Sequence, residues 1–255
     1  SLVTLNTLAK YLGFSSFAAY CRNYLNYDNW YFQQNLQRML LRRKYSKTDF
    51  YQINIGLLNS SNVVFLAYFI TNLIVGNKLK KVLTLFEHID FRAVLNADLL
   101  KFGTILSICL SNQSEKKAFR FYNALLKYDV FRNNLPLNYV DYNNLTKRYI
   151  RILNLLKKYS SNPSDLLFVD LMNFYSLFYS NKTTQQIVIE KSRGFNTFHP
   201  VLSGRYYGYL ILKNEQVNIL TFNEILKECK TQPLNLFLQE IILALIFKNE
   251  TEFLS

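Results

Sequence analysis

Two histidines, three cysteines and thirty Lys/Arg are the side chains in this 255-residue chain that most constrain its chemistry. His88 lies in Phe86-Glu87-His88-Ile89-Asp90, and His199 precedes Pro200. A metal site needs three or four convergent ligands, and neither histidine has a second at i+3 or i+4. His88 reads as a helix-end residue favoured by the helix dipole. Cys21, Cys109 and Cys229 are far apart, with no CxxC or Cys/His spacing. That argues against a disulfide framework or a zinc site and for free thiols in a reducing compartment. Nucleophile elbows of the G-x-S-x-G type, P-loops, G-x-G-x-x-G loops and H-E-x-x-H are all missing. Asp165 and Asp170 are five apart and do not pair on one helix face. The expectation is a non-enzymatic protein with no metal and no cofactor.

The cations carry the stronger signal. Net charge is +13. From Pro200 onward five Lys/Arg face six Glu, a balance of −1, so the preceding residues hold +14. A partner drawn by charge meets that earlier part of the chain. Three runs stand out as nucleic-acid or anion-binding candidates. The first is Arg38, Arg42, Arg43, Lys44 and Lys47. The second is Lys116, Lys117, Arg120 and Lys127, opposite Ala118, Phe121, Tyr122 and Leu125. The third is Lys147, Arg148, Arg151 and Lys158, which span an arc of about 100° at helical spacing. Few acids interrupt these runs, whereas an ordinary solvated helix face mixes signs.

The elements that position these side chains are helices. Only 7 Gly and 4 Pro occur, against usual shares of about 7% and about 5%. Strands need tight turns, and tight turns need those residues. The fold class is therefore all-α, with about a dozen helices stacked as helical hairpins in a repeat-like array or irregular bundle. Apolar spacing predicts helices at 4–12, from Ser15 or Ser16 to about 25, from Asp28 or Asn29 to about 44, and at 50–58, 62–75, 78–88, 91–110 and 114–128. After the connector Asn133-Asn134-Leu135-Pro136, helices follow at 138–159, 164–180, 200–213, 221–230 and 234–247. A short one opens at 181–184, and 192–199 forms a loop. The apolar run 63–75 is shorter than the roughly 20 residues that a membrane span requires, so it reads as a buried helix. Residues 1–45 are expected to form an N-terminal segment packed on a helical-hairpin domain, 46–255, with a possible subdivision near 133–137. A helical pattern begins almost at Ser1, which suggests that the natural chain continues upstream.

Two segments resemble known families. Leu8, Ala9, Leu12, Gly13, Phe14, Ser15, Ser16, Tyr20, Arg22 and Tyr24 resemble the helix-turn-helix of AraC-type transcription regulators over 8–24. The resemblance implies that Gly13 makes the turn, Phe14 wedges the helices apart, Ser15 or Ser16 caps the second helix, and Arg22 reaches a phosphate. Where that family turns polar side chains to base edges, this chain has Phe17, Ala18 and Ala19. The stretch 99–128 weakly resembles a tetratricopeptide-like helical hairpin, with Gly103 and Ala118 in its two helices and no recurrence at about 34 residues.

Gly204-Arg205-Tyr206-Tyr207-Gly208 puts two glycines one turn apart inside a helix, spacing that permits close helix approach. Arg205, Tyr206 and Tyr207 are candidates for lining a groove. Together these features predict a cytoplasmic binding module with a protein partner, as one part of a bacterial regulator. The alternative is a nucleic-acid-binding protein that uses the N-terminal helix pair and the basic faces. Neither reading calls for membrane insertion.

Overall fold

The structure is a computed structural model. It describes residues 2–135, 140–180, 182, 187–190, 198–213, 219–230 and 233–248, and the side chains of all of these except 2, 18, 21–28, 143 and 219–222. The described chain is all-α, with no strand among the described residues. The short helix expected at 181–184 and the loop at 192–199 lie largely outside them. The chain divides into two compact units, 1–124 and 125–255.

Unit 1 runs through α1 (Leu2–Tyr11), α2 (Phe17–Leu41), α3 (Lys47–Gly56), α4 (Val63–Val75), α5 (Leu79–His88), α6 (Asn96–Ser111) and α7 (Glu115–Leu125), the last ending at the boundary. Local chemistry sets these ends. Gly13 takes φ +85°, the left-handed region where glycine carries no Cβ penalty. The Ser16 hydroxyl accepts from the Ala19 amide at 3.1 Å and caps α2. Ser46 and Asp49 form a reciprocal capping box at the start of α3. Asn77 makes the α4–α5 turn at φ 58°, a conformation that Asn tolerates better than most residues. The expected break near Asp28 does not occur, and α2 continues for 25 residues. No Gly or Pro interrupts 17–41, so the hydrogen-bond ladder has no reason to stop.

The centre of unit 1 is α4. Its Val63, Leu66, Ala67, Phe69, Ile70, Leu73 and Ile74 are buried, and it packs chiefly on α6, with α2 and α5 alongside. A helix apolar on most sides is stable only when surrounded. Among the described residues no helix is long and apolar enough to cross a membrane.

Unit 2 contains α8 (Asp129–Arg132), α9 (Ile150–Tyr159), α10 (Pro163–Tyr179), α11 (Pro200–Lys213), α12 (Ile219–Cys229) and α13 (Leu234–Phe247). The expected helix over 138–159 starts only at Ile150. Before it, 142–144 form a 3₁₀ turn and 145–149 a π turn, with Lys147 off the helical region at φ −124°, ψ −107°. The Asp141 carboxylate accepts from Asn144 Nδ2 at 2.8 Å and from Arg148 at 3.4 Å. Such local side-chain bonds compete with a regular helix.

The core of unit 2 is the close pairing of α11 with α13. Gly204 and Gly208 make it possible. A Cβ on Gly204 would overlap the backbone carbonyl of Phe237, and one on Gly208 would lie 2.7 Å from the Tyr175 hydroxyl. Arg205, Tyr206 and Tyr207 are 4%, 7% and 0% exposed. All three lie in the buried core of unit 2.

Candidate anion-binding site

Three segments of unit 1 that are distant in sequence meet around the α4–α5 turn. The first is the end of α2 and its link to α3. Arg38, Arg42, Arg43, Lys44 and Lys47 are all exposed there. Arg42 is tied to Asp49 by an ion pair. Burial pushes the Asp49 carboxyl up, but the Ser46 amide and hydroxyl and the Arg42 guanidinium outweigh that and hold it below its usual range. This anion is already spent on the helix cap, and only 5% of it is exposed.

The second segment is the start of α5. Lys78 is its N-cap and forms no side-chain cap bond, and Lys80 and Lys81 follow in the first turn. The positive end of a helix dipole disfavours cations by roughly 0.3–1 kcal/mol each. Three lysines at this end are therefore an electrostatic conflict that a bound anion would relieve. Lys81 Nζ donates to the Arg42 carbonyl and sits 5.2 Å from the centre of the Tyr45 ring, which locks the second segment to the first.

The third segment is the outer face of α7. Lys117 Nζ donates to the Val75 carbonyl at 2.7 Å, and Arg120 donates to Asn77 Oδ1. Lys116 is exposed beside them. The result is one belt of cations, running from Arg38 through Lys81 and Lys78 to Lys116. Unit 1 carries 15 Lys/Arg against six Asp/Glu, a balance of +9. Of its acids, Asp90 pairs with Arg92 and Asp98 with Lys101, while Glu115 stands exposed in the first turn of α7 beside Lys116.

A half-open cavity of roughly 460 Å³ lies within the belt, lined by Arg43, Lys44, Tyr45, Lys80, Lys81 and Thr84. Four of those six are cations and none is an acid. Tyr45 forms a wall. Its hydroxyl is buried and finds no hydrogen-bond partner among the described residues. Burial, then the Asp49 charge, push this phenol up to about 12.

The belt unites the first expected run with Lys116, Lys117 and Arg120 of the second. Lys127 lies beyond the unit boundary, exposed between α7 and α8. Lys147, Arg148, Arg151 and Lys158 belong to unit 2. Three of these are exposed, while Arg148 is mostly covered and paired with Asp141. The side chain of Arg22 lies outside the described residues. Sequence reasoning missed Lys78, Lys80, Lys81, Tyr45 and Thr84. The adjacent Lys80-Lys81 pair at a helix start was the available signal.

The histidines play structural parts. His88 stacks on Phe50 with ring centres 4.5 Å apart, and its Nδ1 lies 2.9 Å from the Thr84 carbonyl. His199 Nδ1 accepts from the Val201 amide at 3.3 Å, beside the start of α11. Burial, helped by the Arg205 charge, lowers its pKa. Among the described residues no cluster of His, Cys, Asp and Glu has the makings of a metal site. Cys109 is part-buried, and burial raises its pKa, which disfavours the reactive thiolate.

Comparison with protein-family models, with curated proteins and with solved structures gives no match.

Proposed function

We propose that this protein binds nucleic acid through the basic belt of unit 1. One observation carries the reading: three segments remote in sequence converge to align cations while Asp49, the acid in the α2–α3 link, is buried in a helix cap. Phosphate neutralisation supplies most of non-specific nucleic-acid affinity. Exposed rings near the cations add a second element. Tyr31 is 62% exposed and shares a face of α2 with Arg38 and Arg42, while Tyr51 is 63% exposed on α3 beyond Lys47. Base–aromatic stacking is indifferent to sequence and suits single strands. The helix pair α1–α2, which resembles a helix-turn-helix, leads into the same belt, because α2 continues to Leu41.

The test is fluorescence anisotropy with labelled single- and double-stranded oligonucleotides at 50 and 200 mM salt. Six phosphate contacts predict a loss of about 10³ in affinity over that interval. The triple change Arg43→Glu, Lys80→Glu, Lys116→Glu abolishes binding. Absence of binding at the lower salt, or binding indifferent to the triple change, rejects the reading.

A second reading, a protein-docking module, is favoured by α13, whose Ile242, Leu243, Ile246 and Phe247 are each more than a third exposed on one side of the helix. Association through that face would be nearly insensitive to salt.

A further inference from the structure

We infer that the cavity lined by Arg43, Lys44, Tyr45, Lys80, Lys81 and Thr84 is a specific site for a multiply charged terminal phosphate group, either the 5′-phosphate of a nucleic-acid strand or the phosphate chain of a free nucleotide. The inference deepens the nucleic-acid reading of the belt and rests on it for the first of those two sources.

Three features of the cavity separate it from the rest of the belt. The first is charge density. An internal phosphodiester brings one negative charge, whereas a phosphate monoester brings nearly two, and a triphosphate more. Four cations around one half-enclosed space match the denser group. A track for a strand backbone would spread them along an open surface.

The second feature is size. At roughly 460 Å³ the space falls within the range of about 300–1,000 Å³ typical of small-molecule sites. The third is preorganisation. Lys81 is fixed from two sides, by the Arg42 carbonyl and by the face of the Tyr45 ring. Arg42, which would otherwise compete for the anion, is held by Asp49. Thr84 already donates to the Lys80 carbonyl at 2.9 Å, so its hydroxyl oxygen is oriented with acceptor capacity only. Recognition therefore falls to charge-assisted donors from Arg43, Lys44, Lys80 and Lys81, the strong kind of hydrogen bond.

The experiment compares oligonucleotides of one sequence carrying either a 5′-phosphate or a 5′-hydroxyl. Tripolyphosphate and a nucleoside triphosphate are titrated separately by calorimetry. The 5′-phosphate is expected to improve affinity about tenfold, the worth of one charge-assisted hydrogen bond. Arg43→Ala with Lys80→Ala brings that ratio to about one, whereas Lys116→Ala, outside the cavity, weakens both oligonucleotides and preserves the ratio. All three residues are exposed, and circular dichroism confirms that each variant is folded. Triphosphate binding that is lost in the double variant, without a 5′-phosphate preference, supports the cavity and identifies a free nucleotide as its ligand. Triphosphate binding with no oligonucleotide binding at all supports the cavity and rejects the belt. Equal binding of the two oligonucleotides with no triphosphate binding overturns the cavity and leaves the belt standing.

Discussion

The ammonium of Lys117 donates to the carbonyl oxygen of Val75, 2.7 Å away, at the C-terminal end of α4. That carbonyl is one of the orphan acceptors every helix leaves at its end, and a cation there also meets the negative pole of the dipole. Lys117 is thus a cap as well as a member of the belt. Lys116, its exposed neighbour, has no such bond. Lys117→Met is expected to cost about 0.3–1 kcal/mol of stability, seen as a lower urea midpoint, together with a modest loss of oligonucleotide affinity. Lys116→Met should lower affinity alone. Equal stability losses in the two variants would show that the cap contributes nothing.

Gly204→Ala tests the helix pairing in unit 2. The added methyl meets the backbone carbonyl of Phe237, which cannot rotate away as a side chain can. Overpacking of this kind costs roughly 1–3 kcal/mol. Gly208→Ala meets the Glu240 backbone carbonyl and also the Tyr175 hydroxyl, which bonds the Arg205 carbonyl at 3.0 Å, so it adds the loss of a buried hydrogen bond, about 1 kcal/mol. Both variants are expected to unfold at lower denaturant in urea titrations followed by circular dichroism, despite the higher helix propensity of Ala. A neutral or stabilising Gly204→Ala would mean that α11 and α13 are further apart than described.

Some of this architecture was legible in the residues. Pro200 and Pro233 set the starts of α11 and α13, whose expected and observed spans, 200–213 and 234–247, coincide. The Gly204/Gly208 spacing announced a close approach, because only a missing side chain explains two glycines on one helix face. The break expected at Asp28 and the helix expected over 138–159 depart from the structure for a common reason. Asp and Asn are ambiguous, capping a helix in one context and riding along it in another, and tertiary packing decides between them. The belt was only half visible. Periodicity reveals which cations share one helix face, but not that the Lys80-Lys81 turn is clamped to Arg42 from 39 positions away.

Arg205 and Glu240 form a buried ion pair, Nε to Oε1 3.5 Å, with side chains only 5% and 9% exposed. The same carboxylate oxygen accepts from the Tyr142 hydroxyl at 2.8 Å, and the guanidinium lies over the Phe168 ring at 5.4 Å. Removing one member strands the other, so Arg205→Met is expected to cost roughly 3–5 kcal/mol. Glu240→Gln should be milder, because the amide oxygen still accepts from Tyr142. Combining Arg205→Met with Glu240→Met restores part of the loss, with a coupling of about 0.5–3 kcal/mol in a double-mutant cycle. Strictly additive costs would mean that the two charges do not interact.

Tyr45 gives the protein an alkaline liability that one substitution removes. In the folded state its phenol is pushed up to about 12, by burial first and by the Asp49 charge second, whereas an unfolded tyrosine titrates near 10. Below pH 10 both states are protonated and the stabilisation is complete. Between about 10 and 12 the unfolded state releases its proton while the folded state keeps it, so stability falls as pH rises. Tyr45→Phe deletes this slope. It also deletes a covered hydroxyl that has no partner among the described residues, so the variant is expected to match or exceed the parent at pH 7, by up to about 1 kcal/mol. The ring remains beneath Lys81, which leaves the cavity wall intact. Urea titrations of both proteins at pH 7, 10 and 11.5 should therefore show a gap that widens in favour of Phe. A gap that stays constant across the three would mean that the Tyr45 hydroxyl is solvated in the folded protein.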